Sequence, residues 1–194
     1  AMSTDFPEVE MIGLVTDFSG RLDIPPELLE GRSTLFYPGS SIGNFAPDAA
    51  VDFLRQMRRY ASGGLLIGVD AKKDRNRLDA AYADALGVTA AFNLNALRHI
   101  NRLIGSDFNE TRWRHVGAYN ETLGRVEMHL ESVERQAVSI DGVSRMFEAG
   151  ERIHSENSYK YRREEFAAML SAAGFANHEV WTNPEQAFWV FYAA

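Results

Sequence analysis

The chain holds no cysteine. That absence excludes disulfides, thiolate metal sites and cysteine nucleophiles, and it fits a cytoplasmic protein. No apolar run approaches the ~20 residues of a membrane-spanning helix, and no signal-peptide pattern opens the chain. Basic residues are outnumbered: 20 Lys and Arg stand against 27 Asp and Glu, a net charge of −7. Such a balance argues against nucleic acid or an anionic membrane as partner. The histidines His99, His115, His129, His154 and His178 share no metal-ligand spacing. Glycines occur, yet never as G-x-G-x-x-G, and the Gly pairs at 39/43 and 63/64 have the wrong context for a phosphate-gripping turn. Repeats, low-complexity segments and long linkers are lacking too.

What remains is ordinary globular material. Apolar residues make up 45% of 194 and charged ones 24%, enough to bury a core as one domain or two small units. Met2 behind a lone Ala reads as an expression scar before a start.

The most informative stretch is 35–48. Leu35, Phe36 and Tyr37 read as a buried strand that stops at Pro38 and Gly39. A small-residue loop then runs to Asn44, and a helix opens with Pro47 at its first position, where proline's fixed φ is pre-set and its missing N–H is no loss. In an open α/β sheet, a loop leaving the C-terminal end of a strand is where ligands bind.

Periodicity places the other elements. Val9 to Asp17 predicts a short strand ending in an acid, and Ser33 to Tyr37 a second. The helix from Pro47 to Ala61 repeats Val51, Phe53, Leu54, Met57 and Tyr60 at helical spacing, and Gly63 and Gly64 stop it. Leu65 to Asp70 is a third strand, nearly continuous in apolar residues, which points to a parallel sheet covered on both faces. From Lys72 to Gly105 the texture is helical, broken at Gly87, with Lys72, Lys73 and Asp74 as a solvated helix start. Residues 112–158 read as a small antiparallel element in which Val126, Met128 and Leu130 alternate with Glu127, His129 and Glu131. A helix from Arg163 to Ala173 ends at Gly174. Two closing strands hold Val180–Trp181 and Phe188–Tyr192, with Asn183 and Pro184 at the turn.

Six stretches occur in the order found in one family. They are Gly13–Phe18, Pro38–Asn44, Gly68–Asp74, Ala81–Tyr82 with Gly87–Asn93, Arg125–Leu130 and Glu156–Tyr161. Together they resemble the S-adenosylmethionine-dependent methyltransferases that trimethylate the α-amino group of L-histidine in ergothioneine biosynthesis, over about Glu8 to Tyr192. The resemblance implies an α/β fold: a partial Rossmann-like class I methyltransferase sheet with an inserted α+β substrate module. It divides the chain into a partial core (1–71), the insertion (72–158) and a C-terminal helix and strands completing the sheet (159–194). The family's Gly-rich turn and following acid are missing, so the chain looks like about the C-terminal three-fifths of such an enzyme, with half of its S-adenosyl-L-methionine site absent.

The same resemblance assigns roles. Asn44 anchors the substrate's α-amino or carboxylate group, Tyr82 contacts the carboxylate, and Thr89 and Phe92 line the pocket. Met128 packs beside the substrate ring, while Asp17 and Phe18 contact the cofactor's adenine. Each has a plainer reading: Asn44 as a turn cap, Tyr82, Phe92 and Met128 as core. Glu156 and Ser158 alternate in an extended segment and so share a face. A carboxylate and a hydroxyl there can hold the two nitrogens of an imidazole, against the plainer reading of a solvated edge strand. With no nucleophile or metal implied, rate would come from position and desolvation. Two other functions stay open: methylation of another amino acid or amine, and a non-catalytic amino-acid-binding fragment. Because the missing first strand would pair with Ser33–Tyr37, that edge is expected to be unpaired and covered by a homodimer.

Overall fold

The computed structural model describes residues 5–16, 20, 22–29, 31–83 and 85–194. Its elements run β1 (Thr34–Tyr37), a 3-10 turn (Ser41–Asn44), α1 (Pro47–Tyr60), β2 (Gly64–Asp70), α2 (Arg75–Tyr82) and α3 (Val88–Ile104). They continue with β3 (Trp113–Asn120), β4 (Arg125–Ser132), β5 (Gln136–Ile140), β6 (Val143–Phe147), β7 (Arg152–Tyr159), α4 (Arg163–Ala172), β8 (His178–Thr182) and β9 (Phe188–Ala193). Among the described residues, no helix is long and apolar enough to cross a membrane.

The first sheet has the order β1-β2-β9-β8. Leu65, Ile67 and Val69 of β2, fully buried, meet Phe53, Leu54 and Met57 of α1 and Phe166 and Leu170 of α4 in one core. Those α1 residues recur three and four apart, the stripe a helix needs to lie on a sheet. The sheet departs from expectation in two ways. Only β1 and β2 run parallel; β9 enters antiparallel between β2 and β8: the short turn from β8 sets β8 and β9 in opposite directions, and β9 takes the free edge of β2. The second face is also open among the described residues: Phe36 is 69% and Trp181 49% exposed. The strand expected from Val9 to Asp17 does not form over 9–16, where the chain is irregular and exposed; an apolar run becomes a strand only against a ladder that buries it. Asp17 itself lies outside the described residues, as does Phe18.

A separate antiparallel sheet, β3-β4-β7, carries α2 and α3. Val126, Met128 and Leu130 are buried as the alternation predicts. Glu131 is buried too, against the polar-out pattern, because Arg114 and Arg152 from the neighbouring strands both bind its carboxylate. Gly87, at φ +68, caps the start of α3 and separates it from α2. Asp74 caps α2, accepting from the amides of Asn76 and Arg77. Lys72 and Lys73 are not simply solvated there: each is paired, with Glu165 and Asp70 respectively.

Candidate functional site

The turn after β1 is fastened to the end of β2. The Ser40 amide donates to the Gly68 carbonyl, and Ser40 Oγ accepts from the Asp70 amide at 2.8 Å. Ser40 adopts φ +62 to do so, a conformation a non-glycine residue holds only when its surroundings fix it. Ile42 is buried in the main core, and Gly43 lies so close to β7 that a Cβ would stand 2.7 Å from the Tyr159 carbonyl. Asn44 is thereby held beside strand β7.

Beyond this turn, at the C-terminal ends of the parallel pair, lies a cavity of about 410 Å³. Its wall is made by Gly39, Ser40, Ser41, Asn44, Asp70, Tyr82, Glu156, Ser158, Lys160 and Phe188. Five elements therefore converge: the turn, the end of β2, the last residue of α2, β7 with the Lys160 that follows it, and the first residue of β9. Glu156 and Ser158 share its wall, as strand alternation requires. Burial pushes the Glu156 carboxyl above its ordinary value, opposed by a hydrogen bond from Asn44 and by the charge of Lys160.

Lys160 is the buried cation of the site, 2% exposed. Its ammonium donates to Tyr82 Oη at 2.7 Å, Ser158 Oγ at 2.8 Å and Asp70 Oδ2 at 2.9 Å. Tyr82 Oη donates in turn to Ser158 Oγ at 2.8 Å. Asp70 binds a second cation, Lys73, at 2.6 Å. Burying a cation is costly unless its donors are accepted and an opposite charge stands beside it; here Tyr82, Ser158 and Asp70 accept from Lys160, and Asp70 supplies a carboxylate shared with Lys73.

Of the residues anticipated from sequence, Asn44, Tyr82, Glu156 and Ser158 meet in this cavity. Met128 sits directly across the ladder from Glu156 and is buried. Thr89 and Phe92 do not form part of the wall; Phe92 is 70% exposed, about 100° around α3 from the buried Asn93. Asp17 and Phe18 lie outside the described residues. Sequence reasoning passed over Lys160, Asp70 and Ser40. A signal for Lys160 did exist: Glu156, Ser158 and Lys160 continue one alternating polar face.

A wider cleft of about 750 Å³ lies between the starts of α2 and α4 and strand β8. None of the residues anticipated for the substrate lies on its wall, and Lys72 and Lys73 there are held in ion pairs.

A family profile described as histidine-specific methyltransferase, SAM-dependent, matches residues 1–194. The chain is 36% identical over 188 residues to a histidine N-alpha-methyltransferase of Mycolicibacterium smegmatis, covering 95% of this chain and 58% of that protein. It is 35% identical over 162 residues to ergothioneine biosynthesis protein 1 of Neurospora crassa, covering 81% of this chain and 18% of that one. A solved S-adenosylmethionine-dependent methyltransferase from Clostridium acetobutylicum aligns with a TM-score of 0.47 at 9% identity, over 98% of this chain and 68% of that one. The chain spans about three-fifths of the length of the curated histidine N-alpha-methyltransferases it matches.

Proposed function

The chain belongs to the S-adenosylmethionine-dependent, histidine-specific methyltransferase family, and from that premise we propose that it binds L-histidine and presents its α-amino group for N-methylation. The observation that carries this reading is the meeting of Asn44, Tyr82, Glu156 and Ser158 around one cavity. Glu156 accepts from one imidazole nitrogen and Ser158 addresses the other. Met128, across from Glu156, packs beside the ring. Asn44 offers both a donor and an acceptor to the amino and carboxylate end. A small zwitterion is thus held at both ends, which fixes the attacking nitrogen in place and supplies much of the rate of such a transfer. Ergothioneine biosynthesis is the proposed setting, as the name of the Neurospora relative suggests.

S-adenosylmethionine supplies a sulfonium methyl when bound. Asp17 and Phe18, assigned to adenine by resemblance, lie outside the described residues. The chain's own part is to bind the amine, strip it of water and orient it. Residues 1–71 and 159–194 are proposed as the core and 72–158 as a substrate module. This division is supported by apolar clusters that separate along those bounds, one drawn from residues 42–71 and 161–193 and two from residues 78–153. A homodimer and a cytoplasmic location belong to the same proposal. The dimer is supported by β1, which among the described residues pairs with β2 alone, and by exposed Phe36; sedimentation as a monomer at micromolar concentration would overturn it.

Calorimetric titration with L-histidine, repeated with S-adenosylhomocysteine present, tests the main reading. Histidine binding with a 1:1 stoichiometry is expected. No binding in either titration refutes it.

A further inference from the structure

The buried Lys160 has partners beyond its counter-ion. Asp70 is shared between Lys73 at 2.6 Å and Lys160 at 2.9 Å, and Lys160 also reaches two hydroxyls, Tyr82 Oη and Ser158 Oγ. An ammonium only donates, so each hydroxyl oxygen gives a lone pair to Lys160. Ser158 Oγ also lies 2.8 Å from Tyr82 Oη. Of the two hydroxyls the phenol is the more acidic, and it is the donor between them. Both lone pairs of Ser158 are then engaged, one by Lys160 and one by Tyr82. What Ser158 has left for the cavity is its proton.

Two residues upstream on the same face, Glu156 presents a carboxylate, which accepts. The pair therefore offers one acceptor and one donor. A neutral imidazole has one N–H and one bare nitrogen and matches that pattern; an imidazolium has two N–H groups and would aim one at a hydroxyl without a free lone pair. Resting on the histidine reading above, we propose that Lys160 is a positioning residue that makes the site select the neutral ring and reject the protonated one. It acts through Ser158, which it holds as a donor. The titratable and charged groups sharing the cavity with Ser158 are Glu156 and Lys160 on its own strand side, Tyr82 from α2, and Asp70 at the end of β2, itself paired with Lys73. The turn at 39–44 contributes only hydroxyls and an amide.

The test is calorimetric affinity of the full chain for L-histidine between pH 5 and pH 8, beside an alanine bearing a 1,2,4-triazole ring, which stays neutral across that range. Wild-type affinity for histidine should fall about tenfold per pH unit below a ring pKa of about 6.5, while affinity for the triazole analogue holds level. Lys160→Met frees a lone pair on Ser158, and the acid loss should shrink to less than about threefold per unit. Ser158→Ala should shrink it likewise at lower overall affinity, and it decides the matter if Lys160→Met does not fold. An undiminished acid loss in both folded variants overturns the role of Lys160. A parallel acid loss for the triazole analogue also overturns it, by moving the titration to Glu156. Failure of histidine to bind wild type at any pH overturns the histidine reading itself, and this inference with it.

Discussion

Replacing Gly43 with alanine tests how the turn that carries Asn44 is seated. A Cβ there would lie 2.7 Å from the Tyr159 carbonyl oxygen, 3.2 Å from the Tyr159 amide nitrogen and 3.6 Å from Ser158 Oγ. Ordinary non-bonded contact begins near 3.5 Å, and strand backbone has no rotamer by which to move aside. Gly43 is not among the positive-φ residues, so the demand is for space and not for a special conformation. The turn must lift by roughly 0.5–1 Å, and overpacking of this kind costs about 1–3 kcal/mol. Because Asn44 rides on the same turn and bonds Glu156, the lift also disturbs the cavity. Loss of one hydrogen bond to a charged group is worth about 1.5–3 kcal/mol, so histidine affinity should drop at least about tenfold. Urea denaturation reads the first effect and calorimetry the second. Gly142→Ala is the control: at φ +75 in the β5–β6 hairpin, with nothing within 4 Å of its Cβ, it should cost about 1–2 kcal/mol of stability and leave affinity alone. Wild-type stability in Gly43→Ala refutes the packing argument. Lost stability with unchanged affinity refutes the link from turn to site.

Glu156→Ala should weaken histidine binding by about 1.5–3 kcal/mol; calorimetry showing unchanged affinity would remove its imidazole role. Leu54, fully buried in the main core, should cost about 2–5 kcal/mol on replacement by alanine, measured by chemical denaturation. Asp74→Ala removes the cap of α2 and should cost about 1 kcal/mol by the same assay. Arg152 and Arg114 hold the Glu131 carboxyl below its ordinary value of 4.5. A carboxyl lowered in the folded state stabilises above its unfolded pKa, and that contribution is lost as pH falls through the folded value. Acidification below pH 4.5 should therefore weaken the β3-β4-β7 sheet, and Glu131→Gln should flatten that part of the stability–pH curve.

Much of the local structure was legible from sequence because its causes are local. Pro47 at the head of α1, the break at Gly87, the stop at Gly174 and the alternation along Val126, Met128 and Leu130 each follow from one residue's backbone freedom or from a short apolar period. Glu156 and Ser158 shared a face for the same reason. The ordered run of stretches from Gly13 to Tyr161 was enough to indicate the family. Strand formation over 9–16 was misjudged because it depends on a neighbouring ladder that no local pattern encodes.

Three matters were decided only in three dimensions. The direction of β9 against β2 depends on which strand edge is free, not on the apolar run of Phe188–Tyr192. The burial of Glu131 depends on two arginines from adjacent strands. Lys160 and Asp70, 90 residues apart in the chain, form a site only because the end of β2 and the end of β7 meet there. Sequence by itself determined the elements and the family, through periodicity, caps and motif order. Tertiary structure decided which polar groups face one another, because hydrogen bonding and charge act over a few ångströms in space whatever the separation along the chain.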